Sequence, residues 1–220
     1  MERRFDEELK QLKERLLTMA GMAEQLVGKA VKALVDRDAV LAKTIVQEDT
    51  AINRLEVEIE ESCLSLVARY QPEARDLRFI AMVFKIVNDL ERVGDQGVNI
   101  SERTLDLLNE PLLKPLIDIP KMAALAQQML KDSLDAFVNQ DADLARAVCR
   151  RDDEVDQLND QVYEELLDYM RRDPKTISRA VDLILIGRHL ERVADHATNI
   201  AEDVYYLVRG TTIKHRLAGE

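Results

Sequence analysis

Glu91, Asp95, Asn99 and Glu102 follow one another at intervals of four, four and three in LERVGDQGVNISE. Glu191, Asp195, Asn199 and Glu202 repeat those intervals in LERVADHATNIAE. A helix turns by about 100° per residue, so each set falls within an arc of about 80° on one face. On the same arithmetic Ile80 and Phe84 lie within about 20° of Glu91, so the acid stripe borders an apolar one. Asp49 and Asn53, and likewise Asp152 and Asp156, stand four residues apart upstream and can face these stripes if the helices pack antiparallel. Like charges at this spacing cost roughly a few tenths of a kcal/mol on a wet helix, and more when half-buried. A cation would compensate them. Carboxylate and amide oxygens with no Cys and no facing His are hard ligands, suited to Mg²⁺, Ca²⁺, Mn²⁺ or Fe³⁺. His196 adjoins Asp195 but lies about 100° further round the helix, so it is not assigned as a ligand. The same residues also allow a solvated face in which Arg92 and Arg192 pair with the acids across a helix seam.

Catalytic patterns are missing. No Glu is followed three places later by His, as in ferritin-like di-iron bundles. No Ser or Cys pairs with a His at a recognisable spacing, and no G-x-x-x-x-G-K-[ST] loop occurs. The residues therefore point to binding rather than to an enzyme. A metal-storage or carboxylate-bridged redox protein on a helical bundle is the alternative from another class.

The elements that must carry these residues are helices. In the first stretch Phe5, Leu9, Leu12, Leu16, Met19, Ala23, Leu26, Ala30, Ala33 and Leu34 keep a three/four rhythm, which predicts a helix ending near residues 35–38. Asp38 is the expected N-cap of a second helix running to Tyr70, and a third runs from just after Pro72 to about Asn109. The order then recurs: Lys121 to Asn139, a restart at Asp141 running to about Arg172, and a last helix from after Pro174 to Val208, with Gly210 as its stop. Pro111, Pro115 and Pro120 break the chain between the two sets.

The two sets align. LVDRDAVLAK (34–43) lies over FVNQDADLAR (137–146), EDTAINRLE (48–56) over RDDEVDQLN (151–159), and RYQPEARDLR (69–78) over RRDPKTISR (171–179). In the acid segments Leu90 to Val93, Asp95, Asn99, Ile100 and Glu102 are identical to Leu190 to Val193, Asp195, Asn199, Ile200 and Glu202. Such internal duplication predicts an all-α fold of two tandem, similar three-helix bundles with antiparallel, up-down helices. The expected organisation is residues 1–110, a proline-rich linker 111–120, residues 121–210 and a tail 211–220.

Composition agrees. Of 220 residues 46% are hydrophobic, 33% charged and only 4% aromatic, a mixture suited to long helices rather than sheets. A formal charge of −11 argues against nucleic-acid binding, which requires a basic surface. Cys63 and Cys149 sit inside helical patterns and read as buried small hydrophobes in a reducing compartment. MERRFDEELK has no signal-peptide core, and no run approaches the roughly 18 apolar residues of a membrane span. A cytoplasmic location is expected.

The twin L-E-R-V-x-D-x-x-x-N-I-x-E segments, the RYQPEARDLR turn and the two three-helix halves together resemble the PhoU family of phosphate-transport-system regulatory proteins, over nearly the whole chain. The resemblance implies metal clusters on the bundle surface, with iron first among the metals and Mg, Mn or Ca as alternatives. Carried onto this chain, the ligand pairs are Glu91/Asp95 with Asp49/Asn53, and Glu191/Asp195 with Asp152/Asp156. Asn53 departs from the acidic pattern, so the second half is expected to be the stronger site. The resemblance further implies a negative regulator joining the ATPase subunit of the phosphate ABC transporter to a phosphate-sensing histidine kinase. It would meet the membrane only by peripheral docking, and long helices with apolar flanks suggest a homodimer.

Overall fold

A computed structural model describes residues 2–213, with side chains from residue 4 onward. The remaining residues, including most of the tail set apart from residue 211, lie outside it. Six long helices follow in order: α1 (Glu2–Asp36), α2 (Ala39–Tyr70), α3 (Ala74–Leu107), α4 (Asp118–Asn139), α5 (Ala142–Arg172) and α6 (Ile177–Arg209). A single 3₁₀ turn at Pro174–Thr176 leads into α6. The chain is all-α, as its periodicity predicts.

Local chemistry sets the boundaries. Asp38 accepts hydrogen bonds from the backbone N–H groups of Val40 and Leu41, both at 2.9 Å, and Asp141 does the same for Asp143 and Leu144 at 3.0 Å. Each satisfies donors that the first helical turn leaves unpaired. Gly210 closes α6 at φ 71°, a left-handed conformation that costs a glycine least. The linker is shorter than the proline pattern predicts: α4 begins at Asp118, and Pro120 sits in its first turn, where no helical N–H is required. The linker is also not a loose tether. Lys114 is buried and pairs with Glu165 of α5, while Leu113 and Leu116 pack on the core.

Each half is a triangle of three helices, and the triangles meet through α3 against α6 and α1 against α4. In the first half the buried stripe of α1 (Leu12, Leu16, Met19, Ala23) packs with Ile45, Ile52 and Ile59 of α2 and with Ile86, Leu90 and Ile100 of α3. Each such fully buried aliphatic side chain contributes about 1.5–3 kcal/mol. Phe79 of α3 stacks on Phe137 of α4, with ring centroids 5.2 Å apart, and so joins the halves. α3 and α6 run antiparallel, because Asp89 meets His196 while Gln96 meets His189. Arg103 reaches Asp182 and Lys85 reaches Asp203 further along the same seam. This arrangement leaves α2 and α5 on the outer flanks, each beside the acid-bearing helix of its own half.

Replacing either cap, Asp38→Ala or Asp141→Ala, should cost about 1 kcal/mol. For a chain of this size that lowers the melting temperature by about 2–4 °C, readable by calorimetry.

Candidate metal centres

Antiparallel packing of α2 on α3 brings the first set of acids together. Asp49 is only 8% exposed, and its Oδ2 accepts from the Asn53 amide at 3.0 Å. Its Oδ1 is buried with no hydrogen-bond partner. That oxygen lies against the bare backbone of α3 at Gly94, where a Cβ would stand 2.8 Å from it. Only glycine lets the carboxylate come so close. Burial raises the Asp49 carboxyl above the usual range, and the charge of Asp95 adds to the effect. Burial likewise raises Glu91, next to the charges of Asp95 and Asp49.

Glu56 belongs with them. Burial first, then Glu91, Glu60 and Asp95, push its carboxyl upward. On α2 the positions 49, 53, 56 and 60 succeed one another at helical intervals, so the stripe was extendable from the sequence by one further turn. The aligned partner of Glu56 is Asn159, an amide, and that hid the relation.

The second set assembles between α5 and α6. Burial, Asp156 and Asp195 raise Asp152 from 3.8 to about 6. Asp156 and Glu191 are raised too, by burial and then, among the acids, chiefly by Asp195 and by Asp156 respectively. Here the acids have donors. Thr198 Oγ1 donates to Asp152 Oδ1 at 3.3 Å, Asn159 donates to Glu191 Oε2, and Arg188 pairs with Glu191 Oε1 at 2.6 Å. Asp49, Asn53, Glu91 and Asp95, with Glu56, thus form one cluster, and Asp152, Asp156, Glu191 and Asp195, with Asn159, the other.

The outer members of the stripes lie elsewhere. Asn99 is half-buried and Glu102 exposed, and among the described residues neither shares a hydrogen bond or ion pair with the other acids. Asn199 lines a groove of about 410 Å³ with Glu60, Phe84, Lys85, Asn88, Asp89 and Asp203, most of them from the opposite half. Phe84, placed by its spacing on the apolar border, is 38% exposed in that groove, whereas Ile80 is buried. Glu202 faces Cys149, which also feels Asp152. Both cysteines are buried free thiols, pushed up to about 12 chiefly by burial. Arg92 neutralises Glu91 and Asp95, but on its own helix rather than across a seam.

Among the described residues, no three His, Cys, Asp or Glu side chains converge into a finished metal shell. The donor chemistry nonetheless fits a hard cation. Each cluster gathers four carboxylates and one amide along a helix seam, with Asn53, Asp156 and Asp195 at its exposed edge, and the first contains a buried carboxylate oxygen with no donor. That oxygen is the kind of group a cation satisfies.

Comparison with known proteins gives the family. The PhoU domain profile matches residues 16–104 and 119–204, one copy in each half. The chain belongs to the PhoU family. It is 43% identical over 209 residues to a phosphate-specific transport system accessory protein PhoU homolog of Aquifex aeolicus, covering 95% of both chains. It is 34% identical over 211 residues to the phosphate-specific transport system accessory protein PhoU of Escherichia coli, covering 96% of this chain and 88% of that one. The crystal structure of PhoU from Pseudomonas aeruginosa superposes with a TM-score of 0.90 at 42% identity, covering 94% of this chain and 100% of that one. The phosphate transport system regulatory protein PhoU from Streptococcus pneumoniae gives 0.88 at 32%, covering 94% and 98%. No described helix of this PhoU-family chain is long and apolar enough to cross a membrane.

The raised Asp152 carboxyl has a consequence for pH. Below about pH 4 both folded and unfolded forms are protonated, and between about 4 and 6 only the folded form keeps the proton. Stability present at the acid end is therefore lost as pH rises through about 6, by up to about 3 kcal/mol. Urea unfolding in chelator at pH 5 and pH 7 should show about half of this loss, the rest falling between about pH 4 and pH 5, and Asp152→Asn should remove most of it.

Proposed function

We propose that this chain is a non-enzymatic, metal-binding negative regulator of phosphate uptake and of the phosphate-starvation response. The observation that carries the reading is similarity along almost the whole chain to proteins named as accessory components of phosphate-specific transport. A regulator of that kind would act as an adaptor between the ATPase subunit of the phosphate ABC transporter and a phosphate-sensing histidine kinase. It would work in the cytoplasm, docked peripherally on the membrane complex, as a homodimer.

Two features of the molecule support a binding role over a catalytic one. The buried hydroxyls are engaged by main-chain carbonyls: Ser101 donates to Ala42 at 2.6 Å and Thr104 to Ile100 at 2.8 Å. His189 and His196 are held in the α3–α6 seam by Gln96 and Asp89, each at 2.9 Å, and burial keeps His189 neutral by lowering it to about 4. Among the described residues no Ser or Cys is hydrogen-bonded to a His, so no activated nucleophile is assembled.

Asp49, Asn53, Glu56, Glu91 and Asp95 would hold metal in the first half, and Asp152, Asp156, Glu191 and Asp195 in the second. Iron is the first candidate and Mg, Mn or Ca the others. The ion would supply positive charge that relieves repulsion among the acids and stiffens the helix pairs. The chain's own contribution is to present carboxylates from two helices at a fixed separation.

Deleting the gene in its native host should derepress phosphate-responsive genes in high phosphate, read with a reporter. Repression that persists would sink the regulatory reading. Restoring the gene with Asp49→Asn and Asp152→Asn together should rescue less than the unaltered gene.

A further inference from the structure

We propose that the first-half cluster, with Glu56 as an added ligand, takes a divalent cation ahead of the second. This reverses the order expected from Asn53 alone, and it rests on the metal-binding reading above. The two halves have exchanged acid for amide. At aligned positions the first carries Asn53 and Glu56, and the second carries Asp156 and Asn159. The number of carboxylates is the same, so the order is decided by what already occupies their oxygens.

In the second half much of that capacity is taken. Asp152 Oδ1 accepts from Thr198, Glu191 Oε2 from Asn159, and Glu191 Oε1 is paired with Arg188. Gly187 makes the room for Asn159, whose Oδ1 stands 2.8 Å from where a Cβ would be. A cation entering there must displace these donors or share oxygens with them.

The first half lacks each of them. Val98 stands where Thr198 does and cannot donate, so Asp49 Oδ1 is left buried and unpartnered. Glu56 replaces the Asn159 amide with another carboxylate. Asn88 stands in place of Arg188 and lines the groove beside Phe84. Arg92 does remain at this cluster, but it is 56% exposed, with its Nε 3.4 Å from Glu91 and its Nη1 3.9 Å from Asp95, so solvent screens it. Asp153 and Asp160 add negative charge near Asp156, but both are exposed and solvent screens them. The first cluster therefore combines a buried carboxylate oxygen with no donor and one hydrogen bond to its acids, from Asn53 to Asp49 Oδ2, against three in the second.

The test is Mn²⁺ titration of the full-length, chelator-stripped protein, following free Mn²⁺ by electron paramagnetic resonance, with circular dichroism as the folding control. Two classes of site are expected. Glu56→Gln should weaken the tighter class on the order of tenfold and leave the weaker one unchanged. Asp49→Asn should abolish the tighter class, whereas Asp152→Asn should abolish only the weaker. Val98→Thr, which offers Asp49 Oδ1 the missing donor, should also weaken the tighter class. If the tighter class disappears with Asp152→Asn instead, the order is overturned while metal binding stands, and if it ignores Glu56→Gln, Glu56 is overturned as a ligand. If the unaltered protein binds no Mn²⁺, the metal-binding reading itself fails and this inference with it.

Discussion

Antiparallel contact between α3 and α6 is the constraint on which both clusters depend. The two helices bear the same acid segment, and they cross so that residues near 92 and 192 come side by side. Each helix then turns one flank to its twin and the other to the outer helix of its own half. The inner flank is a polar seam, with Asp89 on His196, Gln96 on His189 and Arg103 on Asp182. The outer flank carries the acids. A seam of apolar residues alone would have tolerated sliding, whereas these paired polar groups favour one register.

Close approach is the second requirement. Gly94 brings the α3 backbone against Asp49, and Gly97 does the same toward Leu26 of α1, where a Cβ would stand 2.8 Å from Cδ2. The second half has Ala at both positions and keeps its acids supplied with donors instead. Duplication thus left the frame alike while the clusters diverged in how their negative charge is satisfied.

If the proposed order holds, counting acids in a motif misjudges a site. Asn53 suggested a weaker first half, yet Glu56 restores the fourth carboxylate one turn away. On the proposed order the deciding differences are Val98 against Thr198 and Asn88 against Arg188. None of these four residues is itself acidic, and their importance comes from which oxygen each can reach.

Six helices, their caps at Asp38 and Asp141, the stop at Gly210 and the duplication were all legible from residues alone, because periodicity, capping and breaking are local effects. The core of α1 was equally legible, since a three/four rhythm can bury only one face. The inner acids, Asp49, Glu91, Asp95 and their counterparts, were legible as stripes on helices. Their pairing with the α2 and α5 acids was legible too, once antiparallel packing is assumed, but how far along each stripe that contact reaches was not. Asn99 and Asn199 share the stripes by angle, yet Asn199 faces a groove between the halves, because helix crossing lets only a few turns touch any one neighbour. The partnerless Asp49 oxygen belongs wholly to tertiary structure: it exists because a glycine on one helix admits a carboxylate from another, and no spacing along the chain records that distance.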